Sequence, residues 1–177
     1  IAVSDADEPG IVLAYEILQH YKEHVNETTR EGEDEDCSVL WNTVFTVLAK
    51  KGTGRPGVIA EALNLLKQTE PNPRMYATVL EVIGSNAAHD TSAPEYASAL
   101  FHKLESGNFD DVESMTVAYL HVLRAWCKSS RPEGADTARN ILQRLVDDYD
   151  VGKPTPNRHL FSAVMAGYAQ RQQIEPI

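Results

Sequence analysis

The chain has 177 residues, 42% of them apolar and only 7% aromatic, with 26 acidic against 16 basic side chains and a formal charge of −10. That length allows one ordinary domain or a short run of repeats, and the apolar fraction without aromatics leans towards helix over a β-sandwich or barrel. The acidic balance excludes a generic, uniformly basic nucleic-acid binder. No apolar stretch is long enough to span a membrane.

The first predicted helix opens at Glu8-Pro9-Gly10 and carries Ala14, Ile17, Leu18 and Tyr21 on one stripe, at offsets 0, 3, 4 and 7. His20-Tyr21-Lys22-Glu23-His24 within it matches the H-x-x-E-H zinc-peptidase pattern. The three side chains fall off the apolar stripe and lack a third ligand, so a solvated helix flank is expected and no metal site. An acidic run follows: six acidic side chains between Glu27 and Asp36 face Arg30 alone and hold half of the net charge. Without calcium-loop spacing, residues 26–37 read as a flexible, solvated insertion.

A second kind of segment then begins, Val39-Leu-Trp41-Asn42-Thr-Val-Phe-Thr-Val-Leu-Ala-Lys50, led by an aromatic residue with apolar positions three, four and seven places on. The two kinds alternate from there. Arg55-Pro56-Gly57 opens a helix with Ala62, Leu65, Leu66 and Thr69, and Pro71 and Pro73 stop it before Arg74–Ile83, led by Tyr76. Ser92-Ala-Pro-Glu95 reads as a capping box for Ala97, Leu100, Phe101 and Leu104, followed by Val117–Lys128 with Tyr119 leading. Ser130-Arg-Pro-Glu133 reads likewise for Ala138, Ile141, Leu142 and Leu145, and Pro154 and Pro156 precede His159–Gln170, led by Phe161. Cys37 and Cys127 form no redox or metal motif and are expected to be buried or incidental thiols. Trp41 and Trp126 are expected to be packing anchors.

With no period-two alternation, the expected fold is all-α. Each helix pair has an apolar face it cannot bury alone, so the pairs are expected to stack as an α-solenoid of three to four repeats across residues 1–177. The small residues Ala14, Ala62, Ala97 and Ala138 are expected to be buried at close helix contacts. A start at Ile1 without Met and an end at Ile177 just after a helical pattern suggest a segment of a longer chain.

The first aromatic-led segment (Val-x-Trp-Asn-x-Val-Phe-x-x-Leu-x-Lys), the Ala-x-x-Leu-Leu pattern and the Pro-Asn before the next segment resemble the pentatricopeptide repeat, over about residues 9–171. Trp41 to Tyr76 is 35 residues, that family's period, whereas Tyr76 to Tyr119 is 43 and Tyr119 to Phe161 is 42, which marks the repeats as lengthened. The resemblance implies single-stranded RNA recognition, one base per repeat, in a mitochondrion or plastid. Carried over, the base-reading pairs are Asn42 with Asn72, then Ala77 with Met115, then Leu120 with Asn157, with Ser162 beginning a fourth. Ala77 and Met115 cannot hydrogen-bond a base, so a strict code reader is not expected. Lys50 and Lys128 fall where that family contacts phosphate.

The aromatic-led segments also carry Lys50, Lys51, Arg74, Arg124, Lys128, Arg158 and Arg171 against only Glu81 and Glu113, a local excess of positive charge in an acidic chain. A shared face of these segments would hold RNA by its phosphates with little sequence reading. The alternative is a scaffold that binds protein partners. Neither reading calls for a catalytic residue, a cofactor or a metal.

Overall fold

A computed structural model describes residues 9–25, 33–107, 109–148 and 154–172; of residues 22, 24, 25, 33–37 and 172 it describes the backbone alone. Among the described residues there are eight helices and no strand: α1 Pro9–Val25, α2 Glu33–Lys51, α3 Val58–Leu66, α4 Pro73–Asn86, α5 Ala93–Ser106, α6 Val112–Lys128, α7 Gly134–Asp147 and α8 Arg158–Gln172. The Ala-stripe segments lie on α1, α3, α5 and α7, and the aromatic-led segments on α2, α4, α6 and α8. The all-helical expectation holds.

The aromatic-led helices form a continuous row, α2 on α4, α4 on α6 and α6 on α8, and α4 with α6 is the most extensive contact in the chain. Each inner helix of the other set straddles two members of the row: α3 touches α2 and α4, α5 touches α4 and α6, α7 touches α6 and α8. Long side chains cross between the second set, with Tyr15 donating to Glu61 and Arg144 lying 3.8 Å from Glu105. One core runs through the row, with Phe45, Leu48, Leu80, Ile83, Leu123 and Leu160 wholly buried.

Two glycines set the spacing of the row. A Cβ on Gly84 of α4 would lie 2.9 Å from the backbone oxygen of His121 on α6, and one on Gly167 of α8 would lie 2.5 Å from Cys127 Sγ on α6. Any side chain at either position would force the helices apart. The α2–α3 turn is fixed from the neighbouring pair. Buried Asn86 accepts from Gly54 N at 2.7 Å and donates to Val82 O at 2.8 Å, and Gly54 and Gly57 take the positive φ that suits glycine.

Several local expectations are corrected. The capping boxes at Ser92 and Ser130 do not form: Ser92 makes no side-chain cap, and α7 starts at Gly134 after Glu133, leaving Ser130 in the preceding turn. Pro56-Gly57 likewise belongs to a turn, because α3 starts only at Val58. The side-chain caps sit instead on the row. Asn72 Oδ1 accepts from Met75 N at 2.9 Å, Asp111 Oδ1 from Ser114 N at 2.9 Å, and Asn157 Oδ1 from His159 N at 2.9 Å.

Ala62, Ala97 and Ala138 are fully buried, as expected, but Ala14 is half-buried and Ile17 is 50% exposed. The reason is that α1 packs on one member of the aromatic-led row, α2, where the inner members of its set pack on two. Within the stretch read as an insertion, α2 already begins at Glu33, where acidic residues suit the positive end of a helix dipole. Residues 26–32 lie outside the described residues, as does the side chain of Cys37.

Candidate functional site

Among the described residues, the clearest concentration of cations without an acidic partner lies between α6 and α8. Arg124 and Lys128, one turn apart on α6, face His159, Ser162 and Gln170 on α8 across a groove of about 250 Å³. All five side chains are exposed. Gly167 packs closely on Cys127 within the lining of the groove, beside Ala163 and Ala166. Burial pushes the Cys127 thiol up to about 11, which keeps it protonated and unreactive at neutral pH.

Behind the groove, His121 is buried against α4. Burial, with the nearby charges of Arg124 and Lys128, pushes it down to about 3, so its ring is neutral and the positive charge stays on the two exposed side chains. Its Nδ1 has no hydrogen-bond partner. Nothing in the sequence marked His121 as buried, since its place on the helix differs from that of exposed Arg124 by three residues only.

Between α4 and α6 the surface has the opposite character. Arg74 shares a groove of about 310 Å³ with Asp111, Glu113, Thr78 and Ser114. Hydrogen bonds from Ser114 hold the Asp111 carboxyl below its ordinary range, and the Arg74 charge adds to this. Arg74 is thus matched by acids. A third cavity, about 400 Å³, lies where α5, α6 and α7 meet and is lined by Phe109, Met115, Tyr119, Glu105, Arg144 and Asp148. Tyr119 donates to Glu105 at 3.1 Å and sits edge-on to Phe101 at 4.6 Å; burial and Glu105 push its hydroxyl up to about 12.

The candidate residues are divided by this arrangement. Arg124, Lys128 and Ser162 share the α6–α8 groove, and His159 joins them without having been picked out in the sequence. Lys50 is exposed at the end of α2, and Arg158 is exposed on α8 with its Nε 3.5 Å from His159 Nε2. Asn72 and Asn157 are half-buried and use their side-chain oxygens as helix caps, while Asn42 Oδ1 is buried without a partner. Arg171 does not join the groove, contrary to its inclusion among the cations of a shared face. Its guanidinium donates to the backbone oxygens of Arg131 and Pro132 and so closes the α6–α7 turn.

On α1, His20 and Glu23 are exposed, and the side chain of His24 lies outside the described residues. Among the described residues, no three His, Cys, Asp or Glu side chains gather within reach of one metal ion. No described helix is long and apolar enough to cross a membrane. Trp126 is an anchor, its Nε1 donating to Ser98 Oγ at 3.0 Å, and Trp41 is buried with its ring 6.1 Å from Phe45. Comparison with protein-family models, with curated proteins and with solved structures found no match.

Proposed function

We propose that the chain is a non-catalytic helical-repeat module, an α-solenoid of the pentatricopeptide kind, that holds single-stranded RNA by its phosphates across the α6–α8 groove in a mitochondrion or plastid. The observation that carries this reading is the Arg124–Lys128 pair facing Ser162, His159 and Gln170, exposed and with no acidic side chain lining the groove. Two cations one turn apart suit two backbone phosphates, and hydroxyl and amide groups opposite them can accept or donate to sugar and phosphate oxygens. The stacking of α2, α4, α6 and α8 in one row supports the solenoid, because each helix pair then buries its apolar face against the next.

Sequence reading by this module is weak. Asn72 and Asn157 already use their oxygens as caps, and the oxygen of Asn42 points inward. Binding is therefore electrostatic and nearly sequence-blind. A second reading, a protein scaffold, draws on the acidic α4–α6 groove, where Asp111 and Glu113 beside Arg74 would repel a phosphate backbone.

The test is fluorescence anisotropy of labelled oligo-U, oligo-A and oligo-C across a salt series. Arg124→Glu with Lys128→Glu should weaken all three alike and flatten the logarithmic salt slope by roughly 1.4, about 0.7 for each phosphate that is no longer neutralised. Unchanged affinity in the double variant, or no binding by the native chain at low salt, leaves the scaffold reading in its place.

A further inference from the structure

The cavity of about 400 Å³ between α5, α6 and α7 shares no lining residue with the α6–α8 groove. Part of its wall comes from residues that lengthen the repeats. Helix α4 places Tyr76 three residues after Pro73, its first, whereas α6 places Tyr119 seven residues after Val112. That added turn supplies Val112 and Met115 to the cavity. The linker from α7 to α8 is likewise longer than the one from α3 to α4, and it supplies Asp148 and Pro154. Leu104, Leu145 and the ring of Phe109, which is 37% exposed, extend the apolar wall. A space of this size and lining suits a small molecule.

The polar part of the lining is one-sided. Three carboxylates, those of Glu105, Asp110 and Asp148, stand against the single guanidinium of Arg144. Tyr119 gives its proton to Glu105 Oε1 at 3.1 Å, and Arg144 lies 3.8 Å from the same oxygen. Among the described residues, Glu105 Oε2 and the carboxyls of Asp110 and Asp148 have no hydrogen-bond or ion-pair partner. The groups left over are therefore acceptors.

Helix ends add to the same sign. Helices α5 and α7 both finish beside the cavity, at Ser106 and Asp147, so the negative ends of two helix dipoles reinforce the carboxylates. Helix α6 begins there, but its positive end is matched by the Asp111 cap. An exposed aromatic ring also favours a cation over its face. A positive group on an apolar stem satisfies both parts of the lining.

We propose that this cavity binds a small organic amine, its ammonium group held by Glu105, Asp110 and Asp148 and its stem lying along Leu104, Phe109 and Met115. The inference goes beyond the nucleic-acid reading and does not depend on it, since neither Arg124 nor Lys128 lines the cavity.

Titrations followed by ¹H–¹⁵N NMR of the protein at neutral pH test it with three ligands of one stem: 4-phenylbutylamine, 4-phenylbutanol and 4-phenylbutyrate. The amine should bind most tightly and the carboxylate least. Its shifts should gather at the amides around Glu105, Phe109 and Tyr119 and around Arg144 and Asp148. Asp110→Asn with Asp148→Asn changes two exposed positions and should keep the native circular dichroism spectrum. That variant should bind the amine roughly fivefold more weakly and the alcohol as before. Binding of none of the three, equal affinity for amine and carboxylate, or shifts confined to other helices each overturn the proposal. So does amine affinity unchanged in the double variant. Tighter binding of the blocked peptide acetyl-Phe-Lys-Phe-amide than of the free amine also overturns it, by giving the site to a protein partner.

Discussion

Replacing Gly84 with alanine sets two effects of similar size against each other. In a helix interior, glycine to alanine gains about 1 kcal/mol of backbone entropy and propensity. Against this, the new methyl would lie 2.9 Å from the His121 backbone oxygen and 3.5 Å from its Cα and Cβ. The first distance is shorter by roughly half an ångström than a comfortable carbon–oxygen contact. That oxygen belongs to helix α6 and cannot rotate away like the end of a side chain, so α4 and α6 must separate along their whole contact. Overpacking of this kind costs typically about 1–3 kcal/mol, and it acts on the largest helix–helix contact of the fold. The net expectation for Gly84→Ala is a loss of about 1 kcal/mol, seen as a fall in Tm of roughly 2–4 °C. Urea and thermal unfolding followed by circular dichroism at the helix band measure it. Gly10→Ala is the control, since nothing lies within 4 Å of a Cβ there, and it should be neutral or slightly stabilising. A Gly84→Ala protein as stable as the native chain, or more so, would show that α4 and α6 do not approach this closely.

Ala138 is fully buried, so Ala138→Glu should cost roughly 4 kcal/mol by placing an unpaired carboxylate in a helix contact. Ala14→Glu, at a half-buried site, should cost about 1 kcal/mol, and denaturant midpoints that fail to separate the two would contradict the difference in burial between the two alanines. His121 gives a pH dependence. Its unfolded form takes up a proton near pH 6.5 and its folded form only near 3, so stability is complete above 6.5 and falls as the pH drops between these values. The span is worth about 5 kcal/mol at most. In His121→Gln the acid slope over that window should flatten, and an unchanged slope would place the ring in contact with water.

The helices were legible because offsets of three and four residues define a face wherever they recur, and the aromatic-led and Ala-stripe segments recur four times each. What covers a face was not legible. Ile17 has the same stripe position as Leu65 and Leu100, yet it is half exposed, because its partner depends on how many helices α1 touches. Caps were misassigned for a similar reason: Ser-x-Pro-Glu fits a helix start locally, but the turns at Ser92 and Ser130 are held by other groups, Asp90 Oδ1 accepting from Ser92 N and Arg171 donating to the Arg131 carbonyl. Of the candidate RNA-binding residues, Arg124 and Lys128 share a face through helical spacing on α6, and the packing of α8 on α6 brings Ser162 to them. His159 needed the structure, since only the packing of α8 on α6 shows that it faces Arg124.

The α6–α8 groove is tested most directly by photocrosslinking. A short oligo-U RNA carrying 4-thiouridine would be irradiated with the native chain at low salt, and the modified peptides identified by mass spectrometry. Attachment should concentrate on the stretch around Arg124–Lys128 of α6 and His159–Gln170 of α8, and should disappear in Arg124→Glu with Lys128→Glu. Crosslinks confined to α1, α3, α5 and α7, or none above those given by a non-binding control protein, would contradict a nucleic-acid site in that groove.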